Sequence, residues 1–119
     1  MRKSNEYTKD VRNVILSSGI SRVYERRAPE TKEFPYAVYD IRALTEARYV
    51  IEVDLWGLKG NENELADMAD GLEAVMAGYI IANDNHSSMI SSNNDMKWVD
   101  DSDENLIRIN MSFNSTYQG

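Results

Sequence analysis

The sequence predicts an α+β domain: an antiparallel sheet of about four strands with two helices packed on one face. Three observations predict it. Apolar residues recur at three- and four-residue spacing over 5–17 and again over 62–76. Strict alternation of side-chain character runs through "YVIEVDLW", 49–56, and through 107–113. The connection between the strands predicted at 36–44 and 49–56 is the short "TEAR", too short for a parallel crossover, so these two pair antiparallel.

The N-terminal helix follows from Tyr7, Val11, Val14 and Ile15 on one face, with Lys9, Asp10 and Arg12 on the other. Ser18-Gly19 is its stop signal. A short strand is expected in "SRVYERR", followed by the polar loop "APETKEFP", which holds both prolines of the chain. Phe34 before Pro35 is extended, and the isomer of that bond is open. "YAVYDIRAL", 36–44, is rich in β-branched and aromatic residues and predicts a strand. In the next strand Tyr49, Ile51, Val53 and Leu55 share one face, and Val50, Glu52, Asp54 and Trp56 the other. That pattern fits a sheet with one covered and one more polar face.

Asn61 or Asn63 is the candidate N-cap of the second helix. Glu62, Glu64 and Asp67 sit near its start, where negative charge is favoured. Its stripe is Leu65, Met68, Ala69, Leu72, Val75 and Met76; Gly71 permits close helix–sheet packing, and Gly78 ends it. The stretch 82–97, "ANDNHSSMISSNNDMK", is poor in core residues and reads as a polar-faced strand or as a mobile loop or arm. A closing hairpin turns at Asp101–Asn105, and Ile107, Ile109, Met111 and Phe113 point one way from its second strand.

At 119 residues the chain fits a single domain, 1–119, that buries roughly two-thirds of its unfolded surface. It has no cysteine, which removes disulfides, thiolate ligands and a cysteine nucleophile. No apolar run approaches the length of a bilayer span, and no apolar segment follows the basic residues of "MRKSNEYTKDVRNVI", so no leader is expected. The net charge of −7 argues against nonspecific binding to a nucleic-acid backbone or an anionic membrane. It permits contact with a basic protein surface or mimicry of nucleic acid.

Catalytic signals are sparse. His86, the single histidine, has no recognisable serine or aspartate motif around it. Asp100, Asp101, Asp103 and Glu104 form an acidic run without the glycine and glutamate register of a calcium loop, so a solvated turn is the favoured reading. Glu52 and Asp54 are paired carboxylates on one strand face, a pattern that can serve acid–base chemistry but more often faces solvent or a neighbouring subunit. Nothing matches a phosphate loop or a dinucleotide fingerprint. No catalytic, cofactor-binding or metal-binding residue is assigned. The candidate subunit or partner interface is Glu52, Asp54, Trp56, Trp98, Asp101, Asp103 and Glu104.

Four segments in order resemble the phage tail completion proteins, also called tail terminator or tail-to-head joining proteins, of long-tailed phages and prophages. "EFPYAVYDI", 33–41, resembles their P-Y-x-V-Y strand. "YVIEVDLWG", 49–57, resembles the following strand with its V-D-hydrophobic-W ending. "ENELADMADGLEAVM", 62–76, is similar to the next helix, and 98–117, closing on "ENLIRINMSFNSTY", to the last hairpin. The resemblance implies a virion assembly protein and no enzyme. It implies a ring, commonly a hexamer, that caps the head-proximal end of the tail tube and joins tail to head. Its partners would be further copies of itself, the tail tube protein and a head-completion or connector protein. There would be no cofactor, no specific nucleic-acid contact and no membrane. It would reside in the host cytoplasm during assembly and then at the head–tail junction of the virion.

Two other classes compete. One is an acidic protein-binding module of the DNA-mimic inhibitor type, supported by net charge and predicting salt-sensitive binding to a basic partner. The other is a small enzyme that brings Asp54, His86 and the acidic turn into one pocket with a metal.

Overall fold

The computed structural model describes residues 3–30, 32–45, 47–82, 87–99 and 103–118. The chain runs α1 (Lys3–Ser17), β1 (Val23–Glu25), β2 (Tyr36–Ala43), β3 (Arg48–Leu58), α2 (Glu62–Met76), β4 (Ile80–Ala82), β5 (Ser87–Val99) and β6 (Leu106–Gln118). Both helices cover one face of a single curled sheet, in the order β1-β2-β3-β6-β5-β4. None of the described helices is long and apolar enough to cross a membrane.

The α+β class and the shared helical face agree with the sequence reading. The strand count and the sense of pairing do not. The described sheet has six strands and is mixed, because β1 runs parallel to β2 with Val23 opposite Ala37. β1 lies within the short strand expected in "SRVYERR", 21–27, whereas β4, also three residues long, is too short to display the alternation by which strands are recognised. β1 ends where Arg26 takes a positive φ of 67° and its N–H donates to the Tyr39 carbonyl at 2.8 Å.

The central pairing is β2–β3–β6. Ile51 lies opposite Ile41 on one side and Phe113 on the other, and Val53 lies between Tyr39 and Met111. These inward residues meet Val11, Val14 and Ile15 of α1 and Leu65, Ala69, Leu72 and Met76 of α2 in one buried cluster. Both helical stripes are therefore as the periodicity predicts, with Met68 and Val75 at the margin.

Of three local expectations, the N-cap position of Asn61 and the strand alternative for 87–97 hold, and the packing partner of Gly71 is corrected. Asn61 occupies the N-cap position of α2 but makes no side-chain capping bond. Glu62 instead accepts from the Gly60 N–H at 3.1 Å, which holds its carboxyl below the usual range. Gly71 faces α1, not the sheet: a methyl group there would lie 3.8 Å from the Ser18 carbonyl oxygen, so it serves helix–helix contact. The polar stretch 87–97 is a strand, and residues 83–86 lie outside the described ones. Long pairing with β6 and burial of Ile90 supply what its composition lacks. From Ser92 to Asp95, β5 advances three residues while β6 advances one, an irregularity that keeps the in–out phase intact. The Phe34-Pro35 bond is cis.

Two tyrosines tie α1 down. Tyr7 Oη donates to Ser115 Oγ at 2.7 Å and lies 2.7 Å from Ser88 Oγ, all three residues being buried. Tyr39 Oη donates to the Thr8 carbonyl at 3.3 Å. Burial raises the Tyr7 phenol above its ordinary value and pushes that of Tyr39 up to about 12. A raised acid pKa means that the unfolded chain releases the proton first. Stability is thus insensitive to these groups below pH 10 and falls as the pH rises from 10 toward 12. Urea midpoints should therefore drop across that window, and Tyr39→Phe should flatten the drop; equal slopes in both proteins would remove Tyr39 as the cause.

Candidate assembly surfaces

β3 and its neighbours build the solvent face of the sheet. Because directly paired residues share a face, the register places Asp40, Glu52 and Ser112 in one row, Val38, Asp54, Asn110 and Lys97 in the next, and Tyr36, Trp56, Arg108 and Val99 in a third. Glu52 and Asp54 thus lie on the open face, as their alternation predicts. Neither is isolated. Arg42 Nη2 lies 3.6 Å from Glu52, and Asn110 Nδ2 donates to Asp54 at 2.9 Å. Asp40 directly opposes Glu52, a like-charge pair that Arg26, 3.7 Å from Asp40, partly offsets.

Trp56 is the centre of an aromatic ladder. Tyr36 stacks on it at 6.3 Å and 13°, and Phe34 and Tyr24 flank Tyr36 at 5.2 and 6.1 Å. On the other side the Arg108 guanidinium lies 4.9 Å from the ring centroid of Trp56. Arg108 Nε is buried with no hydrogen-bond partner among the described residues, so the ring face supplies its main favourable contact. Trp56→Ala should cost about 1–2 kcal/mol by removing the stack and the cation–π contact together. Urea unfolding checks this; a cost near zero would mean that the ladder is packing without energy.

Trp98 stands elsewhere. It pairs with Ile109, so it lies on the helix side of the sheet, yet it is 53% exposed. Met96, opposite Met111, is exposed beside it. The helices leave this corner of β5 uncovered. Asp103 and Glu104 lie nearby in the β5–β6 turn, where Asp103 Oδ1 accepts from the Asn105 N–H at 2.9 Å. With Trp98, Lys59 and Arg108 they line an open cleft of about 490 Å³. The sequence-derived set therefore splits into two surfaces: Glu52, Asp54 and Trp56 on the sheet face, and Trp98, Asp103 and Glu104 at the hairpin end. Asp101 lies outside the described residues, as do Asp100 and His86.

The hairpin cleft does not include Asp54. Among the described residues no group of three or more His, Asp or Glu is placed to hold a metal ion. Sequence reasoning missed Arg108, which belongs to both surfaces, and Tyr36, which extends the ladder. The signal for Arg108 was available: it is the cation among the outward positions of "LIRINMSFN".

No protein-family model and no curated protein sequence matches the chain. Solved structures do. One chain from the virion of a native gene transfer agent particle superposes with a TM-score of 0.66 at 14% identity, over 89% of this chain and 85% of that one. A second solved chain superposes with a TM-score of 0.64 at 12% identity, over 95% of this chain and 91% of that one. At such identities what is shared is the fold, and it is shared over nearly the full length of each chain with a protein of a phage-like particle.

Proposed function

We propose that this chain is a structural protein of a phage-like virion, and that it acts as a tail completion protein. It forms a ring at the head-proximal end of the tail tube, stops tube growth and presents the surface on which the head docks. The observation that carries the reading is the full-length fold likeness to a chain of the gene transfer agent virion. The ordered resemblance of 33–41, 49–57, 62–76 and 98–117 to tail completion proteins gives the finer role. An open sheet face bearing carboxylates and aromatics suits a subunit whose chemistry is contact. Lining a lumen with Asp40, Glu52 and Asp54 would let DNA pass without holding it.

The acidic-mimic reading is less well supported, because the sheet-face carboxylates alternate with Arg26, Arg42 and Asn110 and do not form an unbroken negative strip.

Deleting the coding sequence from cells that produce the particle should leave over-long tail tubes unjoined to heads, seen by negative stain. The purified chain should give a closed ring of about six subunits, alone or on tube ends. Tails of normal length that join heads without it would overturn the assignment. Glu52→Lys with Asp54→Lys should leave folding within about 0.5 kcal/mol, since both groups are partly exposed and Glu52 opposes Asp40. The same double variant should impair DNA passage or docking; particles as infective as the parent's would discard the role given to these carboxylates.

A further inference from the structure

Arg108 is a half-buried cation without an anion. Its Nε is buried with no hydrogen-bond partner, and among the described residues no carboxylate lies within ion-pair distance of its guanidinium. An unpaired guanidinium in that position costs free energy that a bound carboxylate would return. The Trp56 ring, 4.9 Å from the guanidinium carbon, holds the group in place but takes no bidentate pair. What remains is a fixed planar fork of N–H donors, the geometry that matches a carboxylate.

The fork lines the cleft of about 490 Å³ at the hairpin end. The lining grades in exposure. Arg108 and Leu106 are half-buried, whereas Lys59, Trp98, Asp103 and Glu104 are exposed. One cation therefore lies at the floor, and a second cation with two carboxylates lies at the mouth. Lys59 and Glu104 also have no ion-pair partner among the described residues. Main-chain bonds hold the mouth in shape. The Lys59 N–H donates to the Asn105 carbonyl at 2.8 Å, and the Leu106 N–H to the Asp103 carbonyl at 3.1 Å. The site is thus built before any ligand arrives.

A fitting ligand puts a carboxylate at the floor and positive charge at the mouth. A nucleic-acid strand does not, because its phosphates would meet Asp103 and Glu104. A metal ion does not, because Arg108 and Lys59 would face it. Trp98 is 53% exposed, and Met96, two residues away on the same side of β5, is exposed as well. The apolar surface therefore continues past the cleft, so the ligand that covers it is longer than the cleft. That favours a polypeptide, and tryptophan with arginine is the pairing that concentrates energy in protein interfaces.

We propose that the hairpin cleft docks an extended segment of a partner protein in which an acidic residue is flanked by basic ones. The carboxylate takes the Arg108 fork, with Lys59 as a second positive contact. The flanking cations meet Asp103 and Glu104, and an apolar side chain covers the Trp98 indole. This goes beyond tail completion and needs no ring, since one subunit holds the whole cleft.

End-blocked peptides test it on the full chain. Lys-Leu-Glu-Leu-Lys is the probe. Lys-Leu-Gln-Leu-Lys lacks the carboxylate, Glu-Leu-Glu-Leu-Glu lacks the cations, and an oligothymidylate of similar length carries phosphates instead. Each is titrated against the indole N–H resonance of Trp98, assigned with Trp98→Phe. The probe should shift that resonance saturably, and the Gln peptide should bind at least ~10-fold more weakly, the loss of one charge-assisted pair. Arg108→Lys keeps the charge but not the fork, and should also lose about tenfold, with urea unfolding alongside to show that the variant is folded. Glu104→Lys should make the all-acidic peptide the better ligand. A Trp98 resonance that the probe leaves unmoved, equal binding of the Gln peptide, or parent-like binding by Arg108→Lys would overturn the proposal. Tighter binding of the oligothymidylate or of the all-acidic peptide to the parent would overturn it too, and would make the cleft a plain anion site. The titration uses no tube, head or ring, so its failure leaves tail completion standing. Tails that form normally without the protein would remove tail completion and leave the cleft.

Discussion

Phe113→Ala is expected to destabilise the fold by about 3–5 kcal/mol, a large part of the whole for a domain of this size. Phe113 is fully buried, directly opposite Ile51 on the central strand pair and within the cluster that both helices complete. Removing the ring takes away its transfer energy and leaves a cavity that two sheet neighbours and two helices cannot collapse together to fill. Thr116→Ala on the same strand is the control. Thr116 points to the solvent face, so its loss should stay within about 0.5 kcal/mol. Guanidinium unfolding of both variants decides the face assignment. A cost below about 1 kcal/mol at Phe113, or similar costs at both sites, would mean that β6 is not seated as described.

The elements that were legible in the sequence are those whose pattern is set by the face they bury. β3 could be read residue by residue because Ile51, Val53 and Leu55 on one face are buried while Glu52, Asp54 and Trp56 on the other stay partly exposed. α1 and α2 were legible for the same reason at helical spacing. β5 was not, because most of its stability comes from a partner strand and not from its own side chains. Ser91–Lys97 is polar in sequence apart from Met96, yet it pairs with Asn110–Asn114, a segment itself fixed by β3. β1 runs parallel to β2, an arrangement that no local pattern records.

The candidate surface was legible in kind and illegible in grouping. Glu52, Asp54 and Trp56 were placed together because a single strand has a fixed period of two. Trp98 could not be assigned a side, since that depends on how β5 registers with β6 and on where α2 ends its cover.

The attachment of α1 to the far side of the sheet gives the second large effect. Tyr7→Phe is expected to cost about 2–4 kcal/mol, more than the loss of one ordinary hydrogen bond. The phenol donates to Ser115 on β6 and sits within hydrogen-bond distance of Ser88 on β5, and both serines are buried. Removing the one oxygen strands two hydroxyls in an apolar interior, where each unpaired group carries its own desolvation penalty. A triple variant separates the stranded serines from the phenol itself. If the penalty lies in the stranded serines, adding Ser88→Ala and Ser115→Ala to Tyr7→Phe should recover most of the loss, because an all-apolar site of similar shape has nothing left to satisfy. If the triple variant is instead weaker than Tyr7→Phe, the serines contribute through packing and the phenol is not the clamp. Hydrogen exchange at β5 separates the two cases. Tyr7→Phe should speed exchange of the Ile90 amide, which donates to Tyr79 at 2.9 Å beside the clamp, while amides at the centre of β3 keep their protection.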